Sequence, residues 1–192
     1  MAIPREPKTD IGHRRDYTPT PPITHAYLLG MLHDATERKT TYRIATSNFR
    51  FANILKKGIE NLKKGVWLYK EGKKRNLWIV EFSKNWLLNE KILTRKEKTD
   101  YIRGYFDSEG GTTRDPNARL YIYFAQKNKI DLMQLKKFIE ELNIKCGKIH
   151  NPSEKVDSNY WRFYVSAKSY SDFATVINSI HPVKRSILRK KI

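Results

Sequence analysis

Two short stretches of the chain carry a glycine closely followed by a carboxylate. In Tyr101-Ile102-Arg103-Gly104-Tyr105-Phe106-Asp107-Ser108-Glu109-Gly110-Gly111 the acid Glu109 stands five residues beyond Gly104. In Tyr27-Leu28-Leu29-Gly30-Met31-Leu32-His33-Asp34-Ala35 the same offset from Gly30 falls on Ala35, and the nearest acid is Asp34, one residue early. Carboxylate oxygens are the ligands that a hard cation such as Mg²⁺ prefers. A helix macrodipole disfavours an acid at a C-terminus, so Glu109 at the end of a helical run points to a purpose. On a continuous helix a one-residue displacement turns a side chain by about 100°. Asp34 can therefore match Glu109 only if its helix unwinds in the last turn; Glu37 is the weaker substitute.

The elements that must position these residues occur twice. Ala26 to Asp34 reads as a buried helix, Tyr42 to Ala45 as a strand, and Phe49 to Leu62 as an amphipathic helix. Val66 to Tyr69 and Leu77 to Phe82 alternate on either side of Glu71-Gly72-Lys73-Lys74, a hairpin signal, and Lys84 to Leu88 reads as a short helix. The pattern then restarts. Tyr101 to Ser108 is a helix, Leu120 to Ala125 a strand, Ile130 to Leu142 an amphipathic helix, Cys146 to His150 and Tyr160 to Ser166 paired strands, and Tyr170 to Ile180 a helix. Besides the glycine motifs, Ile44-Ala45-Thr46-Ser47-Asn48 answers Phe124-Ala125-Gln126-Lys127-Asn128, and Trp78 to Ser83 answers Trp161 to Ser166. Ordered blocks of this kind indicate an internal repeat. Trp78, Phe82, Trp161 and Val165 are expected in the core, with Glu81, Arg162 and Tyr164 on the opposite sheet faces. The division expected is an irregular proline-rich arm (1–24), a first half (25–92), a linker (93–98), a second half (99–182) and a basic tail (183–192).

Composition narrows the partners. The 192 residues hold 38 Lys and Arg against 20 Asp and Glu, a formal net charge of +18. Such a surplus favours a polyanion, because phosphate contacts release condensed counterions. A single cysteine, Cys146, excludes an intramolecular disulfide and a cysteine zinc site. An intracellular, reducing compartment (cytoplasm or organelle matrix) is expected. No apolar run approaches the roughly 18 residues of a membrane span, and the histidines lack metal-ligand spacing. His33 is expected to pack at an interface.

On the two glycine motifs and the repeat between residues 25 and 182, the chain resembles the LAGLIDADG homing endonucleases of the single-chain, two-motif type. The resemblance implies an α+β fold of two pseudo-symmetric αββαββα halves, with a central pair of packed motif helices and curved antiparallel DNA-binding sheets. Gly30 and Gly104, lacking Cβ atoms, would let the two helix backbones touch. The helix ends would then deliver Glu109 and Asp34 to one point, holding Mg²⁺ (or Mn²⁺) that activates water against a phosphodiester. Gln126 and Lys127 fall where the family places polar and basic active-site residues, with Lys127 suited to stabilising developing charge. The first half has Thr46 and Ser47 there. Arg38, Lys39, Arg43, Arg114, Arg119, Tyr121, Tyr123 and Arg162 are the expected groove and phosphate contacts. Lys73, Lys74 and Arg75 are either a hairpin tip tracking phosphates or a solvated turn, and the tail adds nonspecific attraction.

The expectation is a monomeric, metal-dependent endonuclease that cuts double-stranded DNA at a long asymmetric site. Because Ala35 is no acid, the alternative is an impaired relative: a nickase, a DNA-binding protein, or a maturase that binds intron RNA. A basic ribosome-associated protein is a third class, which the ordered repeat argues against.

Overall fold

The computed structural model describes residues 20–113, 115 and 117–192. Most of the arm (1–19) and Arg114 lie outside the described residues. Six α-helices and seven β-strands are present among those described.

The first half runs α1 (His25–Met31), a 3₁₀ turn (Leu32–Asp34), β1 (Thr36–Glu37), β2 (Thr41–Thr46), α2 (Phe49–Asn61), β3 (Val66–Lys70) and β4 (Trp78–Ser83). The second runs α3 (Arg95–Ser108), β5 (Gly110–Thr112), β6 (Ile122–Gln126), α4 (Lys129–Glu141), β7 (Trp161–Tyr164), α5 (Tyr170–Val176) and α6 (Pro182–Lys191). Two antiparallel sheets result, ordered β1-β2-β4-β3 and β5-β6-β7. The repeated asparagines have a local cause: Asn48 caps α2 by accepting from the Phe51 N–H, and Asn128 caps α4 by accepting from Ile130 and Asp131.

Several sequence expectations need correction. The stretch 93–98 is not a linker in its second part, because Thr94 and Glu97 form a reciprocal capping box that starts α3 at Arg95. Lys84 to Leu88 folds as turns rather than a helix. Cys146 to His150 forms only isolated bridges, Cys146 to Val165 and His150 to Arg162. The basic tail is a helix, α6, opened by Pro182 at its first position and anchored by the buried Leu188. At the other end Ile23, assigned to the irregular arm, is buried in the first core, where its side chain fills the space left by Gly58.

Each half has its own core. Tyr27, Leu28, Phe51, Leu55, Ile59, Val80 and Phe82 form the first; Ile102, Phe106, Phe124, Leu135, Phe163 and Phe173 form the second. Phe82 and Val165 are buried as expected, while Trp78 and Trp161 sit at the core margins. The cores are joined by direct backbone packing of α1 on α3. A Cβ on Gly30 would lie 2.1 Å from the Tyr101 carbonyl oxygen, and one on Gly104 would lie 1.9 Å from that of Tyr27. Both obstacles are backbone, so no rotamer change relieves them. Below this contact Arg103 is buried with Asp100, and its Nε also donates to the Asn178 carbonyl at 3.1 Å, tying α3 to the chain beyond α5.

Gly30→Ala and Gly104→Ala are each expected to destabilise the protein by about 2–4 kcal/mol. Gly65→Ala, which meets nothing within 4 Å, should stay within about 0.5 kcal/mol. Urea midpoints at constant slope measure the difference.

Candidate active site and nucleic-acid interface

The helix pair ends on a cleft of about 550 Å³ that both halves line. The last turn of the first helix tightens to 3₁₀ from Leu32 to Asp34, and the backbone then turns extended at Ala35 (φ −86°, ψ 144°). The tightened turn changes the angular offset of Asp34. Asp34 lines the cleft with Glu109, whereas Ala35 packs against the first core. The displacement of one residue seen in the sequence is thus absorbed by a change of helix type.

The charge of Asp34 acts on Glu109. Burial, followed by the charge of Asp34, pushes the Glu109 carboxyl up to about 7, with Lys184 acting in the opposite direction. Loss of solvent likewise raises the exposed Asp34, again opposed by Lys184. Two repelling carboxylates fit a divalent cation that takes one or two protein oxygens and keeps several waters. Among the described residues no group of three or more His, Cys, Asp or Glu side chains is arranged to hold a metal. Asp34 and Glu109 are the acids that would hold one.

Lys184 escaped the sequence reading, which left it in the tail. Its Nζ donates to the carbonyls of Phe106 (2.5 Å), Asp107 (2.9 Å) and Gly110 (2.7 Å), satisfying the C-terminus of α3 with a cation. A chain of contacts puts it there. The buried Asp107 accepts from the Tyr27 hydroxyl (2.9 Å), the Ile180 N–H (2.9 Å), the His181 N–H (3.2 Å) and the Ser179 hydroxyl. Burial raises the Asp107 carboxyl, and these hydrogen bonds and Lys184 pull it back. By fixing residues 179–181, Asp107 sets where α6 begins. The His181 ring packs at a tilt against Phe51, 4.5 Å between centres, and burial lowers it to about 4, so it is neutral at pH 7. The sequence signal for this element was Pro182 opening a run with Leu188 on one face.

The structure does not bring Gln126 and Lys127 to the cleft. The Gln126 side-chain oxygen accepts from the Lys127 backbone N–H at 2.7 Å, and Lys127 is exposed with Asp157 3.8 Å away. Thr46 and Ser47, their counterparts, do line the cleft. His33 lies between the halves, its Nε2 2.6 Å from the Tyr101 hydroxyl and its ring 4.3 Å from Tyr105.

The outer sheet faces carry the expected groove residues in unequal states. Arg38 and Lys39 are exposed at the turn after β1, Lys73, Lys74 and Arg75 at the β3–β4 turn, and Arg119 and Tyr121 before β6. Arg43 is ion-paired to Glu71 (2.8 Å) and Glu81 (3.7 Å) and donates to the Tyr69 hydroxyl (3.2 Å). Arg162 is framed by Tyr123, Tyr160 and Tyr164. Trp67, 57% exposed on β3, was missed; its alternation with the inward Val66 and Leu68 was the available signal. No helix among the described residues is long and apolar enough to cross a membrane.

With this geometry in view, the comparisons agree. Residues 96–178 match the LAGLIDADG-like domain family. No curated protein matches the sequence. The fold is similar to that of I-DmoI in complex with DNA and Ca, at 18% identity, TM-score 0.61, over 86% of this chain and 96% of that one. It is also similar to I-DmoI in complex with DNA and Mn, at 18% identity and TM-score 0.58, over 81% of this chain and 96% of that one. Full-length DUF199/WhiA from Thermatoga maritima is similar at 21% identity and TM-score 0.64, over 86% of this chain and 58% of that one.

The raised Glu109 carboxyl has a consequence for stability. The folded state holds this proton more tightly than the unfolded chain, so stability is lost as pH rises from about 4.5 towards 7. Glu109→Gln is expected to raise Tm by about 2 °C at pH 8 and to change it little at pH 5. Differential scanning calorimetry without added metal checks this.

Proposed function

From the match of residues 96–178 to the LAGLIDADG-like domain family and a fold similar to that of I-DmoI over 86% of the chain, we propose that this protein is a site-specific endonuclease for double-stranded DNA. The observation that carries the reading is the convergence of Asp34 and Glu109, from two helices that pack through glycine, on one cleft. A divalent cation held there, Mg²⁺ or Mn²⁺, would supply an activated water and a counter-charge for the leaving oxygen. The chain's own residues do the rest. Asp34 and Glu109 present carboxylate oxygens to the cleft from the ends of the two packed helices. Lys184 closes the end of α3 and offsets their negative charge as a phosphate enters. Tyr123, Thr46 and Ser47 form polar walls beside the acids.

The two sheets, one on each side of the helix pair, suit the two halves of a long duplex site, since a major groove admits a β-ribbon. Their unlike side chains suit an asymmetric sequence. Both motif helices come from one chain, so a monomer completes the site. The half-buried, free Cys146, its thiol pushed up to about 12 mainly by loss of solvent, suits a reducing compartment.

One observation favours a second reading. Lys184 and Glu109 come from the second half, while among the described residues the first brings Asp34 as its one charged side chain, beside Thr46, Ser47 and Asn48. A site this lopsided would cut one strand, or bind without cutting, rather than cut both. The product from a supercoiled target plasmid separates the cases: linear DNA supports double-strand cutting, open circles a nickase, and unchanged plasmid with tight binding a recognition protein.

Glu109→Gln and Asp34→Asn are each expected to lower cleavage by at least about 10³-fold while leaving affinity within about tenfold, since each removes cation-binding charge and no base contact. Cutting retained in both would exclude this pair as the metal site.

A further inference from the structure

We propose that Arg162 reads a guanine in the half of the target bound by the second sheet, and that the first sheet has no equivalent reader. The inference rests on the DNA-binding reading above and adds to it the base and the residue.

Register identifies the position. Ala125 pairs with Arg162, flanked by Tyr123 opposite Tyr164. In the first half the matching pairs are Ala45 with Ile79, and Arg43 with Glu81. Arg162 thus lies on the second outer face, across from the small, buried side chain of Ala125. Its pseudo-symmetric mate is an isoleucine. The tyrosines flanking it correspond to the Arg43–Glu81 pair.

The side chain is held before DNA arrives. One terminal nitrogen donates to the Tyr164 hydroxyl at 3.1 Å and the other to Tyr160 at 2.7 Å. The guanidinium carbon lies 4.7 Å from the centre of the Tyr123 ring and 5.3 Å from that of Tyr160. Anchoring of this kind removes much of the rotamer entropy that a long side chain loses on binding. Each terminal nitrogen carries two N–H groups and spends one on a tyrosine. One N–H from each remains, the pair that O6 and N7 of guanine accept in the major groove. The two hydroxyls act as acceptors towards Arg162, and the guanidinium they hold carries donors alone. Adenine would set its N6 amino group against a donor, which disfavours it.

Charge separates Arg162 from Arg43. Among the described residues no carboxylate forms an ion pair with Arg162, whose hydrogen-bond partners are the hydroxyls of Tyr160 and Tyr164. Arg43 is neutralised by Glu71 and Glu81, and the Tyr69 hydroxyl, which accepts from Arg43, donates to Glu81 at 2.6 Å. The first face therefore offers carboxylate acceptors beside an occupied arginine.

The test is selection of bound duplexes from a randomised library by the full chain in Ca²⁺, followed by affinities for the enriched site and its single-base variants. The wild type is expected to enrich guanine at a position in one half-site. Arg162→Ala should erase that preference, lower affinity for the enriched duplex about 10- to 100-fold, and leave the other half-site unchanged. Arg162→Lys keeps the charge without the fork, and should keep nonspecific affinity while losing the preference. Tyr160→Phe with Tyr164→Phe retains the rings and should weaken the discrimination about fivefold. A uniform loss of affinity with unchanged base preferences would mark Arg162 as a phosphate contact and overturn the proposal alone. A wild-type chain that enriches no site would overturn the DNA-binding reading and this proposal together.

Discussion

Everything in this protein is placed relative to one contact, the meeting of two helix backbones where Gly30 and Gly104 leave no side chain between them. At 2.1 Å and 1.9 Å from a carbonyl oxygen, a Cβ at either position would force the helices apart. Side-chain packing usually tolerates adjustment, because rotamers can move. Backbone against backbone cannot. The ends of α1 and α3 are therefore held in register, and so are the acids beyond them. The sheets inherit the same frame, since each core packs its sheet against its own member of the pair.

The cleft at the end of this frame gathers opposing charges. Burial raises both carboxyls and Asp34 raises Glu109 further, while a lysine fixed by the carbonyls of Phe106, Asp107 and Gly110 offsets this in part. The helix dipole would normally oppose an acid at position 109. Here Lys184 satisfies the same carbonyls that make the position unfavourable. The acid and the lysine are parts of one arrangement, although they stand far apart in the chain. Asp107, between them in effect, uses its buried carboxylate to fix the entry to α6.

The sequence made the repeat legible because it rests on local signals. The glycine motifs, the Asn48 and Asn128 caps and the alternation through Trp78 to Ser83 each announce their element. The outward placement of Arg162 and Tyr164 followed from period two alone. What it could not show were features decided by tertiary packing. Whether Asp34 faces the cleft depends on a 3₁₀ turn that packing around α1 and α3 selects. Lys184 looked like one basic residue among many, because its role comes from carbonyls over 70 positions away. Lys127 failed in the opposite direction: its alignment was good, but at the end of β6 it faces solvent. Proton affinities set by burial, such as that of Glu109, are likewise absent from a one-dimensional pattern.

Ile180 adds something that the division into halves obscures. It lies just past α5 of the second half, yet it is buried in the core of the first, beside Tyr27 and Phe51. The segment carrying it is latched by Asp107 of α3, which also accepts the hydroxyl of Tyr27 from α1. Opening either half thus exposes apolar surface in both. The duplicated architecture suggests two foldable modules, but this crossing strap couples them into a single cooperative unit. A protein built by repetition has in this way given up the independence of its repeats.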